Sequence, residues 1–508
     1  MQGIPEVEPR DEHNQQLLAN VHPSDWTNPE PADRYNLVVI GAGTGGLITA
    51  AVAAGLGARV ALVERYLLGG DCLNVGCVPS KAVIRSARRV QEARSAGALG
   101  FGPGAGAEPD FAAAMARMRS IRARISEDDS AHRYQHELGV DVFLGDGRFV
   151  GPDAVEVAGT TLRFRKAVIA TGARALQPPI EGLAEAGFLT NETVFNLTER
   201  PRRLAVIGGG PIGCELAQAF RRLGSEVTLL NDTDHVLPRE DPDAASIVQA
   251  SLRRDGVELV LGCRIQKVSS SAEGKRLHYA CADGGERAVV VDEVLVGAGR
   301  APNVQGLGLE SVGVEYDERK GVHVDDHLRT TAPRIFAVGD VCMGWKFTHA
   351  ADAAAKLVVQ NALFFRRLRL SSLVMPWCTY TDPEIAHVGL YKRDASARGI
   401  EMDTFQIPLA QVNRAVCDDE DEGFVKVHVK KGSGRILGAT VVASHAGEMI
   451  SEITLAIVGK VGLGTLAGVI HPYPTQAEGI KAAANAYMRT RLTPGVARAF
   501  QRFLAWTR

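Results

Sequence analysis

The chain runs to 508 residues, too long for one hydrophobic core, so two to four domains are expected. Apolar content of 45%, charged content of 23% and a net charge of −2 describe an ordinary globular protein and exclude the basic surface that nucleic acid demands. No stretch reaches the ~18 uncharged apolar residues of a membrane span, and eight cysteines are too few for a disulfide scaffold. Residues 1–34 form a polar, acidic, proline-containing extension without the apolar core of a secretory leader. These properties predict a soluble, multidomain, cytoplasmic protein.

The first periodic segment is a β-branched run, Tyr35 to Ile40, that enters Gly41-Ala42-Gly43-Thr44-Gly45-Gly46. A helical, alanine-rich stretch to Leu56 follows, then a strand from Arg59 to Val63 closed by Glu64. Strand, GxGxxG, helix, strand and acid make the dinucleotide fingerprint in its proper context. Gly41 allows the tight turn, Gly43 lets the backbone approach a pyrophosphate, and Gly46 lets the helix pack on the strand. Glu64 is placed to accept a hydrogen bond from a ribose hydroxyl.

Just downstream, Cys72 and Cys77 stand five positions apart within Asp71 to Lys81. Cys77 to Arg94 reads as a helix with Pro79 in its first turn. A helix N-terminus stabilises a thiolate, so the pair reads as redox-active, with Cys72 the exchangeable sulfur and Cys77 the buried one. A zinc half-site needs a second ligand pair at similar spacing, and the remaining cysteines are scattered singly.

An apolar strand from Lys166 ends at Ala170-Thr171-Gly172, where the chain would cross between nucleotide domains. The fingerprint then recurs: strand Leu204 to Ile207, Gly208-Gly209-Gly210-Pro211-Ile212-Gly213, a helix to Leu223, and strand Glu226 to Leu230. Gly208 lies 167 residues after Gly41, and the same offset carries Glu64 onto Asn231. Another strand, Arg334 to Val338, ends at Gly339-Asp340; Asp340 is a candidate for a ribityl chain. Thr348-His349-Ala350 opens a helix suited to an isoalloxazine. Gly147 is counted with the same flavin-binding set. Two nucleotide sites and a dithiol imply electrons passing from a nicotinamide, through a flavin, to cysteines.

In combination these motifs, with Gly299-Arg300-Ala301-Pro302-Asn303 and His471-Pro472-Tyr473-Pro474-Thr475, resemble the pyridine nucleotide–disulfide oxidoreductases. That family includes dihydrolipoamide dehydrogenase, glutathione reductase and mercuric reductase, and the resemblance runs from about Tyr35 to Glu478. It implies an α/β fold with two Rossmann-like domains, for FAD and NAD(P), plus an α+β dimerisation domain in a homodimer. The implied division is 35–184 and 291–368 for FAD, 185–290 for NAD(P), and 369–508 for dimerisation. The family roles fall on Cys72 as interchange thiol and Cys77 as the thiolate beside the flavin. Lys81 falls at the flavin edge, with Glu215 as its acidic partner. Gly299 joins the cofactor-binding set with Gly208, Gly210, Gly213 and Asn231.

Departures from the family pattern bear on the substrate. Disulfide-reducing members carry His-x-His-Pro-Thr with a glutamate further on; here His471 and Glu478 hold their places, but Tyr473 replaces the second histidine. An unperturbed tyrosine titrates near 10 and histidine near 6.5, so at neutral pH only about 10⁻³ of the tyrosine is ionised. A tyrosine at this place resembles the mercuric reductases, whose metal substrate needs no such base. Cys72 and Cys77 would then be transient ligands of the substrate metal, with no structural metal site. Against this, no cysteine follows Cys417 to hand on a soft metal. The alternatives are a disulfide (dihydrolipoamide or glutathione type) or quinone reductase using His471 or water as base, and a redox sensor without turnover.

Asn231 removes an acid that favours NADH while Asp232 would repel a 2′-phosphate, and the subfamily resemblance tips the expectation to NADPH. The stretch from Tyr487 to Arg508 has five arginines and no acid, with Val496, Phe500, Phe503 and Leu504 on one helical face. That face is expected to pack on the protein, a membrane-surface role being the alternative.

Overall fold

The computed structural model describes residues 6–100, 108–281, 284–364 and 367–508. The chain forms two compact units: residues 1–208, 219–230 and 263–373, and residues 209–218, 231–262 and 374–508.

The first unit is built on β1 (Tyr35–Ile40), which leads into α2 (Thr44–Gly55), β2 (Val60–Glu64), α3 (Gly70–Asn74) and α4 (Cys77–Ser95). Before β1 lies α1 (Glu12–Val21), and after α4 come α5 (Phe111–Ile125), β3 (Asp141–Leu144), β4 (Arg148–Gly151), β5 (Ala154–Val157) and β6 (Thr160–Ile169). The sheet runs β3-β2-β1-β6, all parallel, with Ile335–Ala337 beside β6. Parallel strands are covered on both faces, which is why β1 and β2 are near-continuous apolar runs.

β6 shows how composition selects a partner. Its first half alternates polar and apolar residues and pairs antiparallel with β5, the second strand of the β4-β5 hairpin. Its second half, Ala167-Val168-Ile169, is wholly buried and pairs parallel with β1.

The N-terminal extension is part of this unit rather than a loose arm, with only residues 1–5 outside the described residues. α1 buries Leu17 and Val21 and packs on α5. The Arg122 guanidinium donates to Asn14 Oδ1 and Asn74 O, both at 2.7 Å, and so ties α1 to the end of α3. Burial and the neighbouring Arg119 lower the Arg122 pKa to about 10.

Strands Arg203–Ile207, Glu226–Leu230 and Glu293–Val296 form the second parallel set. Its third strand lies beyond the boundary at 290 drawn from sequence. An antiparallel sheet, Cys263–Ser271, Gly274–Cys281 and Glu286–Val291, stands between them in sequence. Here the reading of singly scattered cysteines is corrected. Cys263 and Cys281 face each other across the hairpin, with Cα atoms 4.1 Å apart, and form a disulfide. A linear count could not see this, because the register of the hairpin brings the two together.

The second unit holds a five-stranded antiparallel sheet ordered Pro376–Thr379, Glu384–Gly389, Ile436–Ala443, Phe424–Lys430, Met402–Pro408. Helices Ala446–Val458 and Glu478–Arg491 cover it, burying Ile450, Ile453, Ile480 and Ala484 against Val425, Val427 and Val441. The last helix, Pro494–Trp506, buries none of its residues. The expectation that its apolar face packs on the protein is therefore not met within the chain.

Non-reduced protein, denatured and alkylated, should retain Cys263 and Cys281 unmodified by peptide mass. Replacing both with Ser should cost roughly 2–4 kcal/mol in a denaturant titration, the range for a bridge closing a short loop.

Candidate active site

The site begins with backbone meeting backbone. Gly41 leaves β1 at φ +101°, and its N–H donates to Val63 O at 2.7 Å. A Cβ there would stand 2.5 Å from Ala170 O, and one on Gly46 would run into the Gly41 carbonyl. Gly43 caps α2 without any side-chain hydrogen bond, so the first-turn N–H groups and the positive helix end stay available to an anion. The nearest atom to a Cβ on Gly43 would be Gly70 Cα at 3.8 Å, leaving a slot between two glycine backbones. This uncapped cradle fits the pyrophosphate of FAD.

Glu64 does more than wait for a ribose. Its buried carboxylate accepts from Ala42 N at 2.6 Å and Tyr66 N at 2.8 Å, pinning the glycine turn. Burial pushes its pKa up, and those two bonds oppose the push. The second fingerprint repeats the device with an amide. Asn231 Oδ1 accepts from Gly209 N at 2.8 Å, while its Nδ2 donates to Thr233 Oγ1 at 2.6 Å and His235 O at 3.1 Å. Gly208 sits at φ +109°, and a Cβ on Gly210 would meet open space just before the helix Pro211–Arg222 that contains Gly213.

Cys72 lies in α3 and Cys77 is the first residue of α4, whose cap, Gly76, supplies no side-chain bond. A Cβ on Gly70 would stand 2.6 Å from Gly43 Cα, and one on Gly76 2.7 Å from Asp71 O, so the dithiol loop is locked to the cradle. Both sulfurs are free thiols. The expected burial is reversed: Cys77 is exposed and Cys72 half-buried. The reason is local, since Cys77 Sγ lies 3.3 Å from Thr348 Oγ1, at the start of helix Thr348–Leu363, which packs along α2. The Cys77 sulfur, and then burial, push the Cys72 thiol far above the usual thiol range. The N-terminal end of α4, where Cys77 stands, favours negative charge.

Thr171 and Gly172 are clasped to the second half of the unit. Thr171 Oγ1 donates to Asn303 O at 2.7 Å, Asn303 Nδ2 returns a bond to Thr171 O at 2.9 Å, and Asn303 N reaches Gly172 O at 3.0 Å. Gly299 O accepts from Leu176 N at 3.0 Å. Gly147 packs under the ends of β1 and β2, where a Cβ would stand 3.0 Å from Val63 and 3.1 Å from Ile40. His349 stacks on Phe347 at 5.3 Å. Lys81 is half-buried one turn into α4.

Sequence reasoning missed two charged groups. Arg300 forms an ion pair with Asp71, the residue before Cys72, and its Nε lies 3.4 Å from Asp340 Oδ2. It also donates to Ala173 O at 3.0 Å, so one guanidinium joins dithiol loop, crossing strand and candidate ribityl acid. Arg300 stood inside a motif already singled out, but nothing in its spacing named Asp71 as partner. The second is Asp129, pushed up to about 6 by burial and adding negative field at Cys72. Its run, Glu127-Asp128-Asp129-Ser130, reads as a solvated turn.

In the second unit, buried Glu215 accepts from Tyr380 N at 2.9 Å. Tyr473 is 70% exposed, its hydroxyl accepting from Asn413 Nδ2 at 3.1 Å. His471 is turned inward, its Nε2 3.0 Å from Glu452 Oε1, while Glu478 opens the helix Glu478–Arg491. Among the described residues no group of His, Cys, Asp and Glu forms a metal site, and no helix is long and apolar enough to cross a membrane.

Known proteins give this geometry its context. The chain matches the pyridine nucleotide-disulphide oxidoreductases over residues 35–355 and their dimerisation domain over 375–484. It is 33% identical over 452 residues to a mercuric reductase of Lysinibacillus sphaericus, covering 89% of this chain and 82% of that one. It is 35% identical over 460 residues to a dihydrolipoyl dehydrogenase of Thermus scotoductus, covering 89% and 97%. Among solved structures it resembles the HOCl-induced flavoprotein disulfide reductase RclA from Escherichia coli, also solved as a Cu(II) complex, with a TM-score of 0.79 and 28% identity over 89% of this chain and 99% of that one. The chain belongs to the pyridine nucleotide-disulphide oxidoreductase family. It is an FAD-dependent enzyme that uses NAD(P)H and carries the family's dimerisation domain.

Gly46→Ala should weaken FAD retention by at least about tenfold, since a backbone clash of a few kcal/mol is a factor of ten or more in affinity. The flavin absorbance ratio of the purified protein checks this. Asp129→Asn should stabilise the fold by roughly 1–3 kcal/mol at pH 8. Asp129 is raised in the folded state, so its ionisation opposes folding above about pH 6, and the gain should shrink towards pH 4. In a Cys77→Ser background the same change should speed alkylation of Cys72 at pH 8, because removing a negative charge lowers its pKa.

Proposed function

We propose that this enzyme reduces a soft metal ion, with Hg(II) as the reference substrate, at the Cys72–Cys77 pair. The observation that carries the reading is the absence of an available imidazole where disulfide reductases keep their base. Tyr473 stands there, exposed, and the neighbouring His471 is committed to Glu452.

The proton balance explains why this matters. Reducing a disulfide with NAD(P)H consumes one proton and releases two thiols, so each departing sulfur must be protonated. Reducing Hg(II) to the metal with NAD(P)H releases one proton and protonates nothing at the acceptor. A tyrosine hydroxyl in place of an imidazole obstructs the first reaction and is indifferent to the second.

FAD, when bound, supplies hydride chemistry linking NAD(P)H to the sulfurs. The chain's own groups do the rest. The α2 N-terminus with Gly41, Gly43 and Gly46 holds pyrophosphate, Glu64 and Asp340 hold the sugar portions, and Thr171, Gly172 and His349 border the ring end. Cys77 keeps the negative charge, Cys72 exchanges with the acceptor, and Lys81 fixes the charge at the ring edge. In the homodimer Tyr473 of the partner subunit would complete the site, positioning or ligating the metal, with Glu478 nearby. Asn231 anchors its loop without an acid that favours NADH, Asp232 beside it counts against a 2′-phosphate, and the likeness to the mercuric reductases favours NADPH. The compartment is the cytoplasm. The likeness to a mercuric reductase and to a flavoprotein solved with Cu(II) supports the metal reading. The likeness to a dihydrolipoyl dehydrogenase, with no cysteine after Cys417, supports a disulfide or quinone acceptor as the second reading.

Steady-state NADPH oxidation against Hg(II), Cu(II), lipoamide, glutathione disulfide and a quinone separates the two. Metal turnover should exceed disulfide turnover. Tyr473→Phe should depress metal reduction about tenfold while leaving flavin reduction by NADPH unchanged. Tyr473→His should raise disulfide turnover. Strong lipoamide reduction that survives Tyr473→Phe would overturn the assignment.

A further inference from the structure

Helix Pro494–Trp506 folds on its own terms. Thr493 caps it, its Oγ1 accepting from Val496 N at 3.4 Å, and Pro494 occupies the first turn, where its missing N–H costs nothing. No residue of the helix is buried. Val496, Phe500, Phe503 and Leu504 follow one another at the spacing of a single helical face, and they are 39%, 57%, 59% and 57% exposed. Trp506 flanks them, 82% exposed. Arg498 and Arg502 fall on the opposite side of the helix.

A contiguous apolar face on a soluble protein marks an interaction surface. Charge selects the occupant. Between Tyr487 and Arg508 there are five arginines and no acid, in a chain whose overall charge is −2. The positive charge is concentrated in the same short segment as the apolar face, on the helix's polar side and just before it, which complements a surface that is both anionic and apolar beneath. A bilayer of anionic lipid has both properties: the aromatic and aliphatic face enters the acyl boundary, and the arginine stems reach the headgroups. With 13 residues the helix is about 20 Å long at 1.5 Å per residue, too short to span and suited to lie in the interface plane.

We propose that this helix docks the enzyme reversibly on an anionic membrane surface. The claim is independent of which acceptor the active site reduces.

Full-length holoenzyme should co-sediment with phosphatidylcholine vesicles containing phosphatidylglycerol at least about tenfold more than with pure phosphatidylcholine, and less as salt rises. Phe500→Glu with Phe503→Glu should abolish the binding, and Arg498→Gln with Arg502→Gln should weaken it severalfold, with NADPH oxidation unchanged in both. Tryptophan emission should shift to the blue on anionic vesicles, and the shift should be lost in Trp506→Phe. No binding to anionic vesicles, or binding that ignores the phenylalanine changes, would overturn the proposal. So would a wild-type assembly larger than a dimer that Phe500→Glu dissolves, because the face would then belong to another copy of the chain.

Discussion

Everything at the dithiol depends on how closely two stretches of backbone approach. Gly43, at the start of α2, and Gly70, at the start of α3, leave no room for a side chain on Gly70, where a Cβ would stand 2.6 Å from Gly43 Cα. The first stretch forms the cradle that fits a pyrophosphate, and the second carries Cys72. Interiors are close-packed and transmit small shifts, so a methyl group at this crossing would separate the two chemistries the enzyme must join. Gly41 and Gly46 extend the constraint into the sheet, through contacts with Ala170 O and with each other.

Charge is arranged around that crossing with the same economy. The end of α4 at Cys77 favours negative charge, while the Cys77 sulfur and burial raise the Cys72 thiol. Asp129 reinforces the difference from the other side by disfavouring a second negative charge. Arg300 pairs with the acids Asp71 and Asp340 at once and also donates to Ala173 O, so one guanidinium links several segments. Partly exposed Arg–carboxylate pairs of this kind give position more than stability, because solvent screening and desolvation offset much of the attraction.

The two fingerprints also show one fold solving one problem with different atoms. Glu64 and Asn231 each close a glycine turn by accepting a backbone N–H. In the first the acceptor is a carboxylate whose pKa burial raises; in the second it is an amide that also donates to Thr233 and His235. The loop geometry needs an oxygen in that place, and charge is left free to answer to the ligand.

The sequence by itself determined the family architecture. Glycine spacing, β-branched runs and the cysteine pair are local signals, because turns, helix starts and parallel strands are set by φ freedom, capping and periodicity over a few residues. It determined α4 closely, from Cys77 and Pro79, and the position of β1. The tertiary structure alone decided which groups meet. The Cys263–Cys281 bond depends on hairpin register, and the Arg300–Asp71 pair joins segments more than two hundred residues apart in sequence. Asp129 is unusual only because folding buries it. The exposure of Phe500 and Phe503 was equally out of reach: an amphipathic pattern states that a helix has an apolar face, and only packing decides whether the chain covers it.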